Sequence, residues 1–134
     1  AGAEAILRNA LLSMPDDAAL HNHLGLSLKN QSRYKEAIEE YGRAIRLKSN
    51  YPEAMNNLAV AYEASGDKAM AKTLYKNALS LKPSYAEAHL NYALLLEAEG
   101  NNKEAESHYH TFLNLSPDEA LKSKVRARLK EIKK

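Results

Sequence analysis

A fixed period constrains this chain more than any other feature, because its apolar and turn residues recur every 34 positions. Leu24-Gly25, Leu58-Ala59 and Tyr92-Ala93 stand in register, as do Ala37, Ala71 and Ala105, Tyr41, Tyr75 and Tyr109, and Leu47, Leu81 and Leu115. Repetition at such a period means one supersecondary unit stacked on copies of itself, each burying its apolar face against its neighbours. Three full units span residues 18–51, 52–85 and 86–119. Within a unit the apolar residues keep helical spacing, Leu24 and Leu28 and then Ala37, Tyr41 and Ala44, so each unit is expected to be two amphipathic helices. Asn30-Gln31-Ser32, Ser65-Gly66-Asp67 and Gly100-Asn101-Asn102 break the first helix from the second. Ser84 with Glu87, and Ser116 with Glu119, have the spacing of reciprocal caps, with Pro117 suited to a first helical position and Asn50 placed for a similar role.

These units resemble the tetratricopeptide repeat. The family's small eighth residue is Gly25, Ala59 and Ala93, its alanine at the twentieth position is Ala37, Ala71 and Ala105, and its aromatic at the twenty-fourth is Tyr41, Tyr75 and Tyr109. Pro83 and Pro117 match its closing proline, where the first unit has Ser49; at the fourth position, where a large residue such as tryptophan is common, the chain has His21, Met55 and His89. The resemblance implies an all-α fold, a right-handed α-α superhelix (solenoid) of antiparallel helix pairs. Small residues at two positions allow close helix approach, and the tyrosine fills the remaining space. Extending the register backward places Ala3, Leu7, Ala10 and Pro15 at marked positions, so residues 3–15 read as the second helix of a truncated repeat, with a natural cap as the alternative, and the parent chain is expected to continue upstream. Residues 120–134 read as a capping helix, with Leu121, Val125, Leu129 and Ile132 on one side.

Chemistry-bearing patterns are sparse. Cysteine is absent, which excludes thiolate metal sites and cysteine nucleophiles. His21 and His23, like His108 and His110, lie two apart and point away from each other on a helix, so no metal site and no cofactor are expected. No catalytic order of residues stands out, so the chain is read as no enzyme, although a parent enzyme such as a glycosyltransferase could use it to present substrates.

Expectation therefore falls on protein binding. In the family the first helices line a concave groove through the second, fifth, sixth, ninth, twelfth and thirteenth positions. Carried over, these are Ala19, Asn22, His23, Leu26, Lys29 and Asn30 in the first unit, Glu53, Asn56, Asn57, Val60, Glu63 and Ala64 in the second, and Glu87, Leu90, Asn91, Leu94, Glu97 and Ala98 in the third. Asn57 and Asn91 share the sixth position with His23, and Asn22 and Asn56 stand beside them; an amide can pair with the main chain of an extended peptide whatever its side chains. The row resembles the asparagine ladder of O-linked N-acetylglucosamine transferases. Glu53, Glu63, Glu87 and Glu97 against Lys29 suggest a partner segment that is neutral or basic. The family's clamp for a chaperone's terminal carboxylate is not expected, because Asn22, Leu26, Glu87 and Asn91 stand at its other places and none is basic. Self-association is a second expectation. The last fifteen residues carry seven basic side chains against Glu131 alone, yet a solvated helix face explains them better than nucleic acid or acidic lipid. Nothing in the sequence assigns a compartment.

Overall fold

The computed structural model describes residues 2–133, and the described residues are all-α. The helices are α1 (Gly2–Ser13), α2 (Ala18–Asn30), α3 (Tyr34–Leu47), α4 (Pro52–Ala64), α5 (Lys68–Leu81), α6 (Ala86–Ala98), α7 (Asn102–Leu115) and α8 (Glu119–Ile132). Helices α1–α5 form one compact unit and α6–α8 another.

The turn inside each hairpin repeats one device. Arg33 donates its backbone N–H to the Leu28 carbonyl, Asp67 to Tyr62 and Asn101 to Leu96, each at 2.9 Å. This six-to-one closure needs a left-handed residue just before the donor, supplied by Gly66 (φ 99°), Gly100 (φ 82°) and Ser32 (φ 61°). Helix starts depart from the expected caps. Asp118, not Ser116, caps α8 by accepting from the Leu121 N–H, and Pro117 lies outside the helix. Tyr85 and Tyr51, rather than Ser84 and Asn50, hold the cap positions of α6 and α4 without a side-chain bond, and Pro52 opens α4. The missing cap bonds matter little where apolar burial anchors a helix.

In the first unit the core gathers Leu24, Leu28, Ala37, Tyr41, Leu58 and Ala61, with Leu7 and Leu11 of α1 packed against it. Gly25 explains its own identity: a Cβ there would lie 2.7 Å from two ring carbons of Tyr41, which is fully buried. Ile6 and Leu12 of α1, and Met14 just past its end, are exposed. Its Glu4 is held by Arg8 (2.8 Å) and Arg33 (2.7 Å); the hydrogen bond from Arg8 foremost, with those from Gln31 and Arg33, brings its carboxyl down to about 2. In the second unit Tyr92, Ala93, Leu95, Leu96, Ala105, Tyr109 and Phe112 are buried, and α8 contributes Val125 and Leu129. Leu47, Leu81 and Leu115, in register by sequence, all end their helices exposed.

Candidate functional site: the face of the first helices

Groove positions divide into buried, half-buried and exposed sets. On α2 and α4 the two flanking asparagines are interior: Asn22 is 8% exposed and Asn56 1%, which corrects the expectation that both line an open surface. A polar side chain is buried without penalty only when bonded. Asn22 accepts from Asn57 Nδ2 at 3.1 Å and bonds the Tyr51 hydroxyl. Asn57 is half-buried, so the two first helices of this unit share one amide-to-amide bond whose outer member reaches solvent. His23 and Leu26 are exposed and, with Ala3 and Leu7 of α1, line a cleft of about 540 Å³. Lys29, Val60 and Glu63 are half-buried.

On α6, Leu90, Asn91, Leu94 and Glu97 are all half-buried. Helix α8 stands beside them: Leu121, Lys124, Val125 and Arg128 complete a cleft of about 150 Å³ with Leu90 and Leu94. The groove acids are not simply free charges. Glu63 accepts from the Tyr75 hydroxyl (3.0 Å), and Glu97 accepts from both the Tyr109 hydroxyl (2.6 Å) and Arg128 Nε (2.6 Å). Burial chiefly, and the Glu97 carboxylate with it, pushes the Tyr109 hydroxyl well above the usual tyrosine range. In the first repeat Lys29 replaces the glutamate of this pairing, and the buried Tyr41 hydroxyl finds no partner.

The histidines at the fourth position, read from the sequence as filling the layer between helices, work as structural fasteners. His21 Nε2 meets the Pro15 carbonyl (2.7 Å) and its Nδ1 meets the buried Glu40 (2.8 Å), so both nitrogens face acceptors. Glu40 also bonds Arg43. In the third repeat His89 Nε2 meets the Pro83 carbonyl (2.8 Å) and its Nδ1 meets His108 Nδ1 (2.9 Å). A carbonyl can only accept, so the His89 proton sits on Nε2, and His108 must donate from Nδ1 to the bare Nδ1 of His89. The ring centroids are 5.2 Å apart, with the His108 Nδ1–H aimed at the His89 lone pair rather than two lone pairs converging on an ion. Among the described residues no group of three or more His, Cys, Asp or Glu could hold a metal. His23 is exposed; His110 is 3.8 Å from Glu106. The signal for both fasteners was the constant offset of 19 between fourth and twenty-third positions, meaningful only once the hairpin pairs them.

Part of the basic cap is engaged in ion pairs. Lys122 and Arg126 pair with Glu119, Arg128 with Glu97 and Lys133 with Glu106. No helix among the described residues is long and apolar enough to cross a membrane.

Comparison with known proteins places this geometry. A family model for the TPR repeat matches residues 27–66, and a tetratricopeptide repeat model matches residues 56–120. The peroxisomal targeting signal receptor of Eremothecium gossypii is 50% identical over 54 residues, 40% of this chain and 10% of that protein. The photosystem I assembly protein Ycf3 of Prochlorococcus marinus is 33% identical over 67 residues, 48% of this chain and 39% of that one. The chain thus spans about a tenth of the length of the targeting receptors it matches. Among solved structures, the first TPR of Spaghetti (RPAP3), bound to the HSP90 peptide SRMEEVD, superposes with a TM-score of 0.80 at 25% identity, covering 87% of this chain and 90% of that one. The crystal structure of MamA superposes with a TM-score of 0.75 at 23% identity, covering 93% and 69%. From the shared register, the helix pairs and both family models, the chain belongs to the tetratricopeptide repeat family, and its fold class is the all-α solenoid of that family.

Proposed function

We propose that the chain is a protein-interaction scaffold that holds an extended peptide along the face of its first helices. The observation that carries this reading is the Asn57–Asn22 bond. It fixes one half of the Asn57 amide against a buried partner and leaves the rest of a half-exposed amide to meet a peptide main chain, which supplies both donors and acceptors. A pre-positioned amide loses little rotamer freedom on binding, which favours affinity. The likeness to a domain bound to a peptide supports the same reading. Over α2 and α4 the charged groove residues are Glu53, Glu63 and Lys29, so a neutral or basic stretch suits that part of the groove. The places of a carboxylate clamp hold Asn22, Leu26, Glu87 and Asn91, none of them cationic.

The test is selection of a peptide-display library on the full chain, followed by titration of a recovered peptide against the variant Asn57→Ala, Asn91→Ala. Affinity is expected to fall roughly tenfold or more, about 1.4 kcal/mol, while Lys76→Ala on the exposed side of α5 leaves it unchanged. Equal affinity for both variants would exclude the asparagine row as the binding element.

A further inference from the structure

The structure assigns a distinct specificity to the α6–α8 end of this face: a notch for one apolar side chain flanked by carboxylates, so that the segment bound there is acidic and apolar. The inference rests on the peptide-binding reading above and names what one part of the face selects. Leu90 and Leu94 project from α6 at the fifth and ninth positions, and Leu121 and Val125 of α8 close the opposite wall. The space between them, about 150 Å³, is the size of an apolar cavity that admits a benzene-sized group; a leucine or phenylalanine tip fits, a whole helix does not. Two cations stand at its lip. Lys124 is exposed and makes no bond or ion pair among the described residues. Arg128 spends its Nε on Glu97 and Tyr109, which anchors the guanidinium while its two terminal nitrogens keep their donors for a ligand. Of the acids on this face of α6, Glu97 is occupied by that same arginine, and Glu87 stands in the first turn, one turn before Leu90. A carboxylate brought to the lip therefore meets the unpaired Lys124 and the remaining donors of the paired Arg128, whereas a lysine meets the like charge of Lys124. The acidic groove expected from the sequence is reversed here because α8 contributes its cations beside the third unit's leucines.

Methyl-resolved NMR titration of the full chain tests this, using an acetylated, amidated peptide Gly-Ser-Glu-Leu-Glu-Ser-Gly and its counterpart with lysine in place of glutamate. Blocking both ends removes any terminal carboxylate. The glutamate peptide should shift the methyl signals of Leu90, Leu94, Leu121 and Val125 and saturate at roughly tenfold lower concentration than the lysine peptide. Lys124→Glu, a change at an exposed and unbonded side chain, should reverse that order, and alanine in place of the peptide's leucine should remove the shifts. Equal titration by both peptides, an order unaffected by Lys124→Glu, or no shifts at these four residues would overturn the assignment. If a display-selected peptide still depends on Asn57 under any of those outcomes, the groove reading survives and only the acidic notch is lost.

Discussion

Tyr41, Tyr75 and Tyr109 occupy one repeat position and are equally buried, yet their hydroxyls differ in fate. Glu63 serves Tyr75 and Glu97 serves Tyr109, twelve residues back in each case, whereas Lys29 stands at that place before Tyr41 and offers no acceptor. Burial without a partner pushes the Tyr41 hydroxyl above the usual tyrosine range and leaves a desolvated donor uncompensated. Tyr41→Phe should therefore hold or raise stability, by up to about 1 kcal/mol, while Tyr75→Phe and Tyr109→Phe should each cost about 1–2 kcal/mol. Urea midpoints of the three single variants decide it, and equal losses at all three sites would contradict the assignment. Gly25 belongs to the same corner. The second and third units carry alanine at its position, but no Cβ fits beneath the Tyr41 ring without displacing it.

At the scale of the helix pair, the fourth and twenty-third positions carry a different pair of residues in each unit. His21 bonds Glu40 and His89 bonds His108, while the second unit carries Met55 and Leu74 at the same two positions. The His89–His108 pair is the acid-sensitive one. Burial, and after it the neighbouring His89, lowers the His108 pKa, with Glu104 opposing. Glu104 lies 4.0 Å from His108 Nε2 and accepts from the Tyr92 hydroxyl, and the Tyr92 ring lies against His108 at a tilt of 50°. Unfolded histidine titrates near ~6.5. Because the folded chain takes the proton later than the unfolded one, this contribution is complete above that pH and is lost as the pH falls through the lowered native value. Transplanting the second unit's pair, His89→Met with His108→Leu, should flatten the decline in urea midpoint between about pH 7.5 and 5. Parallel declines in parent and variant would show that the pair is not responsible.

Over the whole molecule, the repeat register was open to reading because backbone periodicity and small-against-large packing write themselves into every copy: Ala37, Ala71 and Ala105 are all fully buried. The site was less legible. The family resemblance placed Asn22 and Asn56 on the binding face, but both are buried, since neighbouring helices close over positions that a single helical wheel leaves open. The histidine fasteners and the α8 cations depend on contacts between helices, which spacing along one helix does not encode. The fasteners have a further effect. His21 and His89 each tie down the carbonyl of the proline in the link just before their own helix, Pro15 and Pro83. The link between α3 and α4 is followed by Met55 at that position, which has no donor for a carbonyl, and exposes Lys48, Ser49 and Asn50. A protease must pull several residues of backbone into its cleft before it can cut, so brief digestion with a protease of broad specificity should nick the chain first at residues 48–50, and Met55→His, which restores an imidazole there, should slow that nick.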